Sequence, residues 1–219
     1  MKYKCLILDH DDTVVNSTAT VHFPSFIAYL EVYRPNRVSE YTLEDFIRKN
    51  FTPGIVSLFK DELAMTDSEM DEEQLFWERF VNTVTPIAYD GLYDILSKFR
   101  RMGGIIAVSS HSMTRFIKRD YEVNGLPAPD EIFGWDLPKE KRKPSTYAVD
   151  ELIKKYGFKK EEILMVDDLK PGFDMARSAG IDFAAAGWAY NVPTIEEFMR
   201  AHSDYYLGDV KQLEKLLFD

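Results

Sequence analysis

The sequence predicts an α/β fold built on a doubly wound parallel sheet, interrupted early by a run of helices. Three observations carry that expectation. Four short apolar runs, Cys5–Leu8, Ile105–Val108, Ile163–Val166 and Phe183–Ala186, have the length and composition of buried parallel strands. From residue 85 onward, segments of helical period alternate with such runs, the pattern of a parallel sheet with right-handed crossovers. Three of the runs pass directly into polar side chains, Asp9, Ser109 and Asp167, at the carboxyl ends where open α/β sheets place their ligands.

Taken in order, the first strand begins almost at the N-terminus. His22 to Tyr33 carries Phe23, Phe26, Ile27 and Leu30 at helical spacing. Thr42-Leu43-Glu44-Asp45 reads as a helix start. Pro53-Gly54 marks a turn, and Ile55 to Leu63 reads as one helix. Asp71-Glu72-Glu73-Gln74 reads as a further start, ahead of Leu75, Phe76, Trp77, Phe80 and Val81. Residues 18–84 are therefore expected to form a helical insertion, leaving 1–17 and 85–219 as the α/β core. In the core, helices are predicted over Gly91–Arg101, Met113–Glu122, Tyr147–Tyr156, Gly172–Ala179 and Thr194–Arg200, the last with a Thr-x-x-Glu start. Short strands are predicted at Ile132–Trp135 and Tyr205–Leu207, and a final helix closes the chain.

Composition narrows the classes. Of 219 residues, 45% are hydrophobic, which supports a packed core rather than disorder. A formal net charge of -10 is wrong for a scaffold held to nucleic-acid phosphates. No stretch approaches the roughly 20 apolar residues of a membrane span. Cys5 is the only cysteine, so an internal disulfide is impossible and a small buried hydrophobe is its expected role. A cytoplasmic protein, monomer or dimer, without nucleic-acid or membrane partners is the expectation.

The chemistry concentrates in Asp9-His10-Asp11-Asp12-Thr13. Residues two apart in extended chain share a face, so Asp9 and Asp11 are able to reach one site. Two carboxylates about 4 Å apart repel by roughly 4 kcal/mol at an effective dielectric of about 20. A divalent cation reverses that sign. Asp167-Asp168 adds acids at a second strand end, Ser109 and Ser110 add hydroxyls at a third, and Lys143 precedes Pro144 in the basic run Lys139–Lys143. With only oxygen donors on offer, a hard cation suits better than zinc.

This order of motifs resembles the haloacid dehalogenase superfamily. Its members commonly read Asp-x-Asp-Gly-Thr after the first strand, then a Ser or Thr, a Lys before Pro, and a terminal acid pair. Asp12 stands where that pattern has glycine, and is read as a turn residue or an acid near the metal. The resemblance implies a Rossmann-like core with an inserted α-helical cap, as in the branch of phosphoglycolate phosphatases and β-phosphoglucomutase-like members. It implies Asp9 as nucleophile, Asp11 as general acid–base, and Lys143, ahead of Lys141, as the charge stabiliser. Ser109 and Ser110 would bind phosphate. Mg²⁺ would be held by Asp9, Asp168, a carbonyl of Asp11 and the neighbouring Asp167. The expected activity is Mg-dependent hydrolysis of a small phosphorylated metabolite through an aspartyl-phosphate. Asp11 argues against dehalogenases and phosphonatases, which lack or replace it. A phosphohexose mutase, a phosphoacceptor module and a binding protein without turnover remain as alternatives.

Overall fold

The computed structural model describes residues 1–219. Six strands form one parallel sheet: β1 (Cys5–Leu8), β2 (Ile105–Ser109), β3 (Glu131–Phe133), β4 (Ile163–Asp167), β5 (Asp182–Ala186) and β6 (Tyr205–Leu207), in the order β3-β2-β1-β4-β5-β6. Every residue of β1 and β4 is buried. This burial is the physical reason these strands read as unbroken apolar runs, since helices cover a parallel sheet on both faces. The reversal of strand order falls at β1, whose Leu8 pairs with Val108 on one side and Val166 on the other. A crevice for ligands is expected outside the strand ends at such a reversal. Cys5 is fully buried in β1, and desolvation pushes its thiol up to about 12, which leaves it inert.

The chain divides into two compact units, Met1–Val15 with Ile87–Asp219, and Asn16–Pro86. The first contains the sheet and the helices α5 (Leu92–Arg101), α6 (Thr114–Val123), α7 (Tyr147–Tyr156), α8 (Lys170–Ala179), α9 (Pro193–His202) and α10 (Val210–Phe218). The second is wholly helical: α1 (Phe23–Tyr33), α2 (Leu43–Phe51), the single turn α3 (Ile55–Ser57) and α4 (Asp67–Val81). Its core is aromatic, with Phe26 packed on Tyr41, Phe46 and Phe59.

Several local expectations are corrected. Helix α4 begins at Asp67 rather than near Asp71, because Thr66 and Glu69 close a capping box: the Glu69 amide donates to Thr66 Oγ1 at 3.2 Å, and the Thr66 amide donates to Glu69 Oε2 at 2.8 Å. The first turn is polar, so apolar periodicity alone starts the helix too late. Ile55–Leu63 is not one helix; α3 runs into a π-turn over Leu58–Glu62. In α9, Pro193 occupies the first turn and Val192 is the N-cap, so Thr194 lies inside the helix and does not cap it.

One residue of the helical unit is costly where it stands. Glu73 on α4 is 8% exposed, and burial pushes its carboxyl up to about 7 from an ordinary 4.5, with His22 pulling the other way. The folded state then keeps a proton between about pH 4.5 and 7 that the unfolded state gives up. Stability therefore falls as pH rises through this window. Glu73→Gln is expected to melt higher than the parent protein at pH 8, by roughly 3 kcal/mol, and to match it near pH 4. Thermal unfolding at both pH values checks this.

Candidate active site

The row of residues one step beyond the paired Val108, Leu8 and Val166 is Ser109, Asp9 and Asp167. In-register neighbours on parallel strands share a face. The sheet therefore brings three distant motifs side by side at the reversal of strand order. Asp9 is 4% exposed and Asp167 is sealed. Lys143 arrives from the loop between β3 and α7 and bridges them, its Nζ donating to Asp9 Oδ1 and to Asp167 Oδ2, each at 2.6 Å. Burial alone would pull the lysine pKa down; the Asp167 and Asp9 carboxylates outweigh it and hold the pKa above the ordinary lysine value. Lys141, the other candidate, lies over the Tyr147 ring instead.

Asp168 completes a group of three buried carboxylates whose oxygens lie within 4.8 Å of one another. Desolvation and the charges of Asp167, Asp9 and Asp12 raise its pKa well above the ordinary value, and desolvation raises Asp167 to about 7 despite Lys143. One ammonium for three acids leaves a negative excess in a desolvated place. Buried charge in excess is relieved by protonation or by a cation. The donor set is oxygen throughout, so a hard divalent cation fits these residues.

Asp168 is held by neutral donors on both oxygens. Thr13 Oγ1 donates to Oδ1 at 3.1 Å, and Tyr190 Oη donates to Oδ2 at 2.9 Å. Trp188 Nε1 fixes Thr13 in turn through its carbonyl, at 3.2 Å. Tyr190 was not marked by the sequence, because it lies in a loop beyond β5 with no local signature.

Asp11 is engaged by the serines that follow β2. Its Oδ2 accepts from Ser112 Oγ at 2.5 Å and, more distantly, from Ser110 Oγ at 3.5 Å. Ser110 also accepts from the Ser112 amide at 3.1 Å. Ser112 is absent from the sequence-based candidates; the third serine in Ser109-Ser110-His111-Ser112 is its only signal. Ser109 Oγ points toward Met175 Sδ, 3.9 Å away, and makes no contact with Asp11. His10, between the two acids, faces the opposite side of the strand. Its Nε2 lies 3.1 Å from Asp120 Oδ2 on α6.

Two backbone features explain residue choices. Asp12 adopts φ 57°, the left-handed region that glycine enters freely and that aspartate tolerates better than most residues. The turn demands this conformation, and its amide bonds Val15 O at 2.8 Å. Gly172 in α8 packs on Asp167: a Cβ there would sit 2.6 Å from Asp167 Cβ. Asp167 has no room to yield, since Lys143 and the Leu169 amide (2.7 Å) hold its two oxygens. Gly172→Ala is expected to cost about 1–3 kcal/mol. Urea unfolding checks it, and unchanged stability would mean Asp167 swings aside freely.

A model of the haloacid dehalogenase-like hydrolase family matches residues 6–186. Pyrophosphatase PpaX of Halalkalibacterium halodurans is 24% identical, over 97% of this chain and 96% of its own. A crystal structure described as a predicted phosphoglycolate phosphatase from Haemophilus somnus superposes with a TM-score of 0.77 at 19% identity, covering 99% of both chains. The HAD-hydrolase YfnB of Bacillus subtilis, bound to magnesium, superposes with a TM-score of 0.66 at 18% identity over 100% of both. The family match spans the first acid pair, the serines, the lysine and the terminal acids in one alignment, and on it the chain belongs to the haloacid dehalogenase-like hydrolases.

Proposed function

We propose that this hydrolase is a phosphatase that releases inorganic phosphate from a small phosphate monoester through an aspartyl-phosphate on Asp9. One observation carries the reading most strongly: a single buried ammonium, Lys143, contacts Asp9 and Asp167 at once, while Asp11 accepts a hydrogen bond from Ser112 instead. That separates a carboxylate suited to attack from one suited to proton transfer. The phosphatase and pyrophosphatase names of the relatives support it.

In the proposed sequence, an Asp9 oxygen forms a bond to phosphorus as the bond to the leaving oxygen breaks. Asp11 gives that oxygen its proton. Asp11, now a carboxylate, takes a proton from water, whose oxygen attacks phosphorus and breaks the acyl-phosphate bond. Asp9 is restored and phosphate leaves. Lys143 balances charge on Asp9 and on the transferring group, and the loop hydroxyls orient its oxygens. Asp9, Asp168 and a carbonyl of Asp11 would hold Mg²⁺, which supplies charge neutralisation for the phosphoryl oxygens. The helical unit Asn16–Pro86 has the role of a cap that selects the substrate. The protein works in the cytoplasm on a phosphorylated metabolite.

Hydrolysis of an aryl phosphate with added Mg²⁺ tests the reading. Asp11→Asn is expected to slow turnover about 100-fold or more, the usual scale of acid–base catalysis. Phosphorylated Asp9 should then accumulate and be found by acid quench and mass spectrometry. Wild-type turnover in that variant would remove Asp11 from its role.

A further inference from the structure

The three acids at the sheet edge are held in two different ways. Asp9 and Asp167 share the Lys143 ammonium, each at 2.6 Å. Asp168 contacts no cationic side chain. Its side-chain partners are two neutral hydroxyls, one on each oxygen: Thr13 Oγ1 is 3.1 Å from Oδ1, and Tyr190 Oη is 2.9 Å from Oδ2. A phenol is protonated at neutral pH, so Tyr190 is the donor. The same Oη lies 3.2 Å from the Asp168 carbonyl oxygen. One hydroxyl therefore ties the side chain of Asp168 to its own main chain and fixes the torsions between them.

Tyr190 is anchored in turn. Where β5 ends, the Gly187 amide donates to Leu207 O at 2.8 Å, and a Cβ on Gly187 would sit 2.3 Å from Tyr206 Cζ. Trp188 Nε1 donates to the Thr13 carbonyl at 3.2 Å. Val192, buried, is the N-cap of α9. The loop over residues 187–192 is thus fastened at both ends, and between them it holds both Thr13 and Asp168.

Neutral donors orient a carboxylate without cancelling its charge. Pinned at both oxygens, Asp168 keeps its charge for a cation but is not free to rotate its plane and turn both oxygens toward one ion. Mg²⁺ takes single carboxylate oxygens in a tight octahedron completed by waters, whereas the larger Ca²⁺ also accepts a carboxylate through both oxygens. We propose that Tyr190 is a positioning residue that, with Thr13, clamps Asp168 so that it offers one oxygen to a cation, and thereby makes the site prefer Mg²⁺ to Ca²⁺. The proposal rests on the reading of Asp168 as a metal ligand.

Calorimetric titration with Mg²⁺ and with Ca²⁺, each alone, on the parent protein and on Tyr190→Phe tests it. The parent protein is expected to bind Mg²⁺ the more tightly. In Tyr190→Phe the Kd for Mg²⁺ is expected to rise about tenfold or more, the usual cost of removing a group that holds a metal ligand. The Kd for Ca²⁺ is expected to hold or fall, so the ratio of the two constants shifts by about tenfold. A parent protein that binds Ca²⁺ as tightly as Mg²⁺ would overturn the assignment. So would a ratio unchanged in Tyr190→Phe, including equal weakening of both cations, which is what lost packing alone produces. Melting without cations shows whether the variant folds. Should it not fold, Thr13→Val, which frees Oδ1 with little change of shape, decides: a shifted ratio supports the clamp and an unshifted one sinks it. If the parent protein binds neither cation, the metal reading of Asp168 fails and this assignment fails with it; hydrolysis of an aryl phosphate that is indifferent to Mg²⁺ marks that case.

Discussion

Replacing Asp9 by asparagine is expected to stop turnover. An amide oxygen is a poor nucleophile toward phosphorus, and no neighbouring group is placed to substitute for it. Asp167 spends both oxygens on Lys143 and the Leu169 amide, and Asp168 spends both on Thr13 and Tyr190. Loss of a covalent nucleophile costs on the order of 10⁴-fold or more. Folding should survive or improve. Carboxylates within 4.8 Å repel one another by roughly 3 kcal/mol or more at an effective dielectric of about 20, and neutralising one relieves part of that. Steady-state hydrolysis of an aryl phosphate together with the melting temperature checks both halves. Retained turnover would mean that water attacks the substrate directly, and the aspartyl-phosphate would have to be abandoned.

Replacing Lys143 by methionine is expected to damage both stability and activity. The side chain keeps its length but loses the ammonium that contacts Asp9 and Asp167 at 2.6 Å each. Two buried carboxylates are then left facing each other with a third beside them. Removing one partner of a buried ion pair costs about 3–5 kcal/mol, or about 10 °C in melting temperature for a chain of this size. Turnover should fall about 100-fold or more, since a fixed positive charge is lost where negative charge develops. Adding Mg²⁺ should recover part of the stability, because a cation bound only by the folded state shifts the equilibrium toward it. Denaturant unfolding with and without Mg²⁺ measures this. A variant as stable as the parent would show that the acids already share protons and do not depend on the lysine.

Much of the fold was legible because buried parallel strands write themselves as short apolar runs. Cys5–Leu8 and Ile163–Val166 are the central pair of the sheet, buried along their whole length. Element starts were less legible. Thr66 caps α4 through hydrogen bonds with Glu69 that apolar periodicity does not register. The π-turns at Thr18–His22 and Leu58–Glu62 leave no pattern in composition. The departure at Asp12 is explained by its left-handed backbone, a conformation that aspartate shares with glycine at modest cost.

From residue order alone came the alternating layers, the inserted helices and the acids and hydroxyls that end the first, second and fourth strands. Local sequence determines these because strand burial and strand ends depend on neighbouring residues. Which of those side chains meet was decided only by the packed sheet. Parallel register set Ser109, Asp9 and Asp167 in one row, and loop closure carried Lys143 across 134 residues to Asp9. Tertiary packing likewise turned Ser112 rather than Ser109 toward Asp11, brought Tyr190 to Asp168, and buried Glu73 on α4. These are contacts between segments far apart in the chain. Their geometry follows from how whole elements pack, and no local run of residues records it.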